Sequence, residues 1–201
     1  MATIMRDAVG EVGRMDEQTA MTTRQTAAGG WLTTLAPLWP LGLARILYGV
    51  LWWQQSKWKV PSDDFGRKSG GGLWYWVQEE VQHPTVNAYK DFLLNVLIPN
   101  WTVFGWMTLL TETFIAVTLI LGLFTRLGSL VAIGMALNIT IGIVSVPHEW
   151  GWTYTMLVML PTLFLLTDAG RSFGLDAFLA PRLDRAAESG HRAARLVRWL
   201  V

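Results

Sequence analysis

The hydrophobic positions of this chain fall into long unbroken runs rather than short alternating segments. Between Trp101 and Phe124 the only ionisable side chain is Glu112. Between Leu127 and Pro147 there is none, and between Gly151 and Thr167 only Tyr154. A helix needs about 20 mostly apolar residues to cross the hydrocarbon core of a bilayer. All three runs meet or approach that length. A fourth, "LWPLGLARILYGVLWWQQSKW", is less uniform and contains Arg45, Gln54, Gln55 and Lys57. In so short a chain a soluble helical fold could not cover three nearly uncharged runs. The pattern predicts an all-α integral membrane protein, a four-transmembrane-helix bundle with spans at about 38–58, 101–124, 127–147 and 151–168.

The connections carry signals of their own. Residues 59–100 form a long loop between the first two spans, broken by "SGGG" at 69–72. "LWYWVQEEVQH" reads as an aromatic amphipathic turn or two. "PTVNAYKDFLLNVLIPN" reads as a short helix: Pro84 suits a first turn, Val86, Tyr89, Leu93 and Val96 share a face, and Pro99 is expected to end it. Residues 1–36 form a polar tail without an apolar leader, so the first span is expected to direct insertion. Residues 37–180 form the membrane domain, and 181–201 a basic tail whose "HRAARLVRWLV" fits a helix on an anionic leaflet or on a partner. Arg6, Arg14, Arg24, Arg126 and the six arginines after Leu166 fall on one side of four spans. The positive-inside rule places that side, with both termini, in the cytoplasm and the 59–100 loop outside.

Composition narrows the chemistry. Only 15% of the residues are charged, against about 25% in average soluble proteins. The net charge of +1 indicates no class of partner, and nothing points to nucleic acid; membrane lipid is the expected surrounding. With no cysteine the chain offers no disulfide, thiol redox chemistry, thioether-linked haem or iron–sulfur ligation. His83, His148 and His191 lie outside the spans, which argues against a bis-histidine haem and against a di-metal carboxylate site inside the bundle. No metal is therefore expected. Twelve tryptophans, many at the span ends, fit two uses: anchoring in the headgroup zone, or the wall of a quinone pocket.

Glu112 is the central candidate. A charge near mid-membrane costs about 2.5–3.5 kcal/mol on insertion scales and normally faces the bundle with a partner. Gly105, Thr108, Glu112 and Ala116 share a small-residue face suited to close helix contact. Asn138, on a face with Gly134 and Gly142, is an available partner. Arg45, between Gly42 and Gly49, is another, although helical side chains lean toward their own N-terminus and separate the two. Asp168 leans toward Arg45 and competes for it. Arg45, Glu112, Asn138 and Asp168 are thus the expected intramembrane polar network. Glu112 could accept protons near a quinone, fix helix register through an ion pair, or line a transport path. At the loop side, Trp52, Trp53, Lys57, His148 and Glu149 are candidate contacts for a quinone or polar head group.

Three stretches resemble the DoxX family, which includes DoxD, the small subunit of thiosulfate:quinone oxidoreductase. They are "LGLARILYGVLWWQQSKWK", "TETFIAVTLILGLFTRLGSLVAIGMAL" and "LLTDAGRSFGLDAFL". The resemblance implies a four-helix membrane bundle and marks Arg45, Lys57, Glu112, Arg126, Asp168 and Asp176 as family-like positions. It implies a subunit of a quinone-linked redox or electron-transfer complex, with Glu112 as the candidate catalytic group, quinone as the possible cofactor and other membrane subunits as partners. The alternative is a non-catalytic subunit that stabilises a larger membrane assembly.

Overall fold

The computed structural model describes residues 38–201 except residue 190, and these residues are all-helical. Four long helices form the body: α1 (Trp39–Lys57), α4 (Trp101–Leu121), α5 (Thr125–Ile143) and α6 (Gly151–Leu166). Helices α1 and α4 pack closely, as do α5 and α6, and α4–α5 and α1–α6 contacts close the ring. Between α1 and α4 lie α2 (Gly72–Gln82) and α3 (Asn87–Phe92), which cover one end of the ring, the cap end. At the opposite turn end, α7 (Asp176–Glu188) and α8 (Arg192–Arg198) follow α6.

Helix bounds follow the apolar runs to within a few residues at each end. The 59–100 connection departs most from expectation. Pro99 does not stop the chain. A π-helical turn at Leu93–Leu97 and a 3-10 turn at Ile98–Asn100 carry α3 into α4, so Asn87–Leu121 is one 35-residue helical path. Proline removes one N–H and crowds the carbonyl four residues back; local change of helical pitch absorbs both. The expected boundary at 180 also falls inside α7.

Two helical paths, Asn87–Leu121 and Thr125–Ile143, are long and apolar enough to cross a membrane. Gly151–Leu166 is apolar but shorter, and α1 is long enough but less apolar. All four helices present large apolar side chains outward: Leu43, Leu47 and Leu51 on α1, Met107, Leu110 and Val117 on α4, Leu130 and Leu137 on α5, Met156 and Leu163 on α6. The interior includes polar groups, among them Arg45, Glu112, Thr118 and Ser129.

At the turn end two side chains complete the helix termini. The Arg45 guanidinium, fully buried, donates to the carbonyls of Leu119, Ile120, Ala169, Ser172 and Phe173. It thereby places a cation against the orphan carbonyls and negative dipole end of α4. Asp176 does the converse for α5, accepting from the Phe124 and Thr125 N–H groups at 2.9 Å each. Gly122 links the two devices. Its φ of +60° makes the left-handed cap of α4, and a Cβ there would meet Arg45 Cζ at 2.8 Å.

Candidate functional site

A cavity of about 370 Å³ lies toward the cap end, between α1, α4, α5 and α6 and under α2 and α3. Small-molecule sites commonly occupy about 300–1,000 Å³. Its wall includes eight aromatic rings: Tyr48, Trp52 and Trp58 from α1 and its C-terminus, Trp76 from α2, Tyr89 from α3, Trp101 and Phe104 from α4, and Tyr154 from α6. The tryptophans divide accordingly. Trp39, Trp106, Trp150 and Trp152 are exposed near helix ends, whereas Trp52 and Trp101 are buried in this wall.

The cap is fixed by specific contacts. Asp64 and Phe65 adopt left-handed backbone, and Phe65 is driven fully into the space over Gly105 of α4. The Trp101 indole N–H donates to the Asp64 carbonyl at 2.6 Å, and Trp74 stacks edge-on against Trp101 with centroids 4.8 Å apart.

Glu112 lies in the cavity wall and pairs with Lys59, Nζ to Oε2 at 2.7 Å, with both side chains 3% exposed. Lys59 stands just beyond the end of α1 and folds back toward it. Its ammonium also donates to the Gln55 carbonyl at 3.1 Å and sits 3.7 Å from the centre of the Trp58 ring. Burial pulls Lys59 below the usual lysine range, and the Glu112 charge opposes that pull. The pair resembles neither arrangement expected from helix faces. Asn138 instead accepts a hydrogen bond from the Tyr89 hydroxyl at 3.2 Å, because α3 folds down over α5. Arg45 is satisfied by carbonyls at the turn end. Asp168 pairs with Arg126 at 3.1 Å and Arg171 at 3.7 Å, not with Arg45. The expected single network is therefore divided between the two ends of the bundle.

The loop-side candidates also separate. Trp52 and Glu149 line the cavity. Lys57 and Trp53 are exposed on the other side of α1, their contact a cation–ring approach of 5.9 Å. His148 is exposed, with φ of +72° in the tight link before α6. Helix-face reasoning did not single out Lys59 and Glu80, and it placed Tyr89 on an apolar face without a polar partner. Glu80 does carry a signal: Leu73, Val77 and Glu80 recur at spacings of four and three, which puts the carboxylate on the apolar face of α2.

Polar functions face the cavity in a limited number. Among the described residues, the buried Trp52 indole N–H has no hydrogen-bond acceptor. Tyr48 donates to the Leu157 carbonyl at 2.7 Å, and Tyr154 to Glu149 at 2.7 Å. Among the described residues no three His, Asp or Glu side chains converge in a way that could hold a metal ion.

The model of the family described as "TQO small subunit DoxD" matches residues 79–193, more than half of the chain. The chain belongs to the DoxD family. No curated protein and no solved structure matches it. TQO is thiosulfate:quinone oxidoreductase, so the DoxD match associates the chain with a quinone-linked redox system. The matched segment runs from α2 to the start of α8 and contains Glu80, Glu112, Asn138, Glu149 and Tyr154. Helix α1, which brings Arg45, Trp52 and Lys59 to the DoxD segment, lies before it.

Proposed function

We propose that this chain is the integral membrane subunit of a thiosulfate:quinone oxidoreductase-like complex and that its cap-end cavity receives the quinone head group. The observation that carries this reading is the aromatic cavity itself, in which the Trp52 N–H is a buried donor without an acceptor among the described residues. A buried donor left unpaired costs about 1–3 kcal/mol, a cost that a ligand carbonyl would remove. Trp52, Lys59 and Asn138 would hold the polar edge of the ring; Trp58, Trp101 and Phe104 would pack its faces.

The outward apolar faces of α1, α4, α5 and α6 support four membrane spans. With both termini cytoplasmic, the cavity lies in the outer half of the bilayer. When bound, the quinone supplies a two-electron, two-proton acceptor. The chain has no thiol to pass electrons, so oxidation of the sulfur donor belongs to a partner subunit. The Lys59–Glu112 pair keeps the floor of the cavity charge-balanced and fixed.

A second reading, a non-catalytic subunit that stabilises a larger assembly, draws on Leu166, Phe173 and Phe178, which are 68–74% exposed at the turn end. One titration separates the two. Purified full-length chain in mild detergent is titrated with a decyl-substituted benzoquinone while tryptophan fluorescence is followed. The quinone reading expects saturable quenching, weakened about tenfold by Trp52→Phe, the equivalent of one lost hydrogen bond. Quenching that never saturates, from protein that still co-purifies with its partners, supports the structural reading instead.

A further inference from the structure

Glu80 of α2 is a buried carboxyl in the cavity wall to which quinone binding assigns no role. It is 9% exposed and, among the described residues, makes no ion pair and no side-chain hydrogen bond. Its neighbour on α2, Glu79, turns away toward His83. The space it occupies is specific. A Cβ on Gly142 of α5 would lie 2.6 Å from the Glu80 carboxyl carbon, so the carboxyl rests directly against the glycine and would have to shift to admit a side chain there.

Tyr89, Tyr154 and Glu149 share the cavity wall with it. Tyr89 of α3 and Tyr154 of α6 both lie within reach of the Glu80 charge. Tyr154 donates to Glu149 at 2.7 Å, and Glu149 is half-buried in the link before α6, between the cavity and the cap-end surface. Of the other charged groups of the wall, Lys59 and Glu112 neutralise each other, and Glu149 accepts from Tyr154. Quinone reduction needs protons as well as electrons, and the paired Glu112 is poorly placed to take up and release them.

We propose that Glu80 is the proton-exchanging carboxyl of the cavity, reloaded from the cap-end surface through Glu149 and Tyr154. This rests on the cavity being a quinone site. For each two-electron reduction, Glu80 passes two protons in succession and takes up two from outside. The electrons come from the reduced-sulfur donor oxidised at the partner subunit. Glu80 therefore ends each cycle in the state in which it began. Burial supports this role, because it pushes the Glu80 carboxyl up to about 7, where it can both hold and release a proton near neutrality.

The test begins without quinone. Infrared spectra of the purified chain, titrated from about pH 5 to about pH 9, should show a protonated carboxyl band lost near neutrality. Glu80→Gln should abolish that transition. A second readout is the pH dependence of unfolding. From the ordinary glutamate range up to about 7 the native state binds the extra proton. Wild-type stability should therefore fall as pH rises through that window, and Glu80→Gln should lack this part of the fall. In native membranes with partner subunits present, thiosulfate-driven reduction of the decyl benzoquinone should slow at least tenfold in Glu80→Gln. Tyr154→Phe should slow it while leaving the infrared transition in place. A neutral carboxyl transition that persists in Glu80→Gln, or wild-type turnover by Glu80→Gln, overturns the proposal. Failure of the quinone reading shows separately, as absence of saturable quenching in a wild type whose Glu80 transition is intact.

Discussion

Lys59 and Glu112 hold a salt bridge that sequence periodicity could not supply. Glu112 sits on the small-residue face expected of it, but its partner lies past the end of α1, where the chain has left the helix and no 3.6-residue rule applies. Lys57, two residues earlier, points out instead. Removing one member of a buried pair strands the other and costs about 3–5 kcal/mol, whereas replacing both with apolar groups costs less. Lys59→Met and Glu112→Gln should each lower the melting temperature in detergent. The double variant Lys59→Met/Glu112→Leu should melt above either single one. Simple additivity of the two losses would show that the charges do not depend on each other. Glu80, by contrast, was legible in the sequence, as an acidic residue occupying a core position of an amphipathic helix. What periodicity could not show is that the helix folds down over a cavity.

Helices were the most legible level. Four apolar runs gave four long helices, because a run's length and lack of charge are properties of the run alone. The cap was less so: its shape depends on left-handed turns at Asp64 and Phe65 and on the change of pitch around Pro99. Helix ends at the opposite face depend on side chains distant in sequence, Arg45 for α4 and Asp176 for α5, with Gly122 between them. Gly122→Ala forces a Cβ into a left-handed residue and against the guanidinium. A loss of about 2–4 kcal/mol is expected, read as a lower melting temperature. Gly134→Ala is the matched control. A Cβ there meets nothing within 4 Å, so the change should be neutral or stabilising by up to about 1 kcal/mol. Equal destabilisation by both would remove the special role given to the Arg45–Gly122 contact.

For the molecule as a whole, the four-span arrangement makes a prediction that is easily read. The natural chain has no cysteine, so single cysteines report cleanly. Ser69 in the cap and Ser189 after α7 are both exposed. A membrane-impermeant thiol reagent applied to intact cells should label Ser69→Cys, and should reach Ser189→Cys only after permeabilisation. Labelling of both from one side would rule out four spans. The same architecture has a consequence for how the chain is made. Arg45 belongs to the first of the described helices to be synthesised, yet its acceptors lie 74 to 128 residues further on. At about 5–20 residues per second, the last of them is synthesised roughly six to twenty-five seconds later. Through that interval a guanidinium must be sheltered by headgroups, water or an insertion factor. The guanidinium thus gains its last three acceptors only with the turn at 169–173, and a nascent chain stalled before residue 169 carries an incompletely paired charge by which membrane quality control could recognise it.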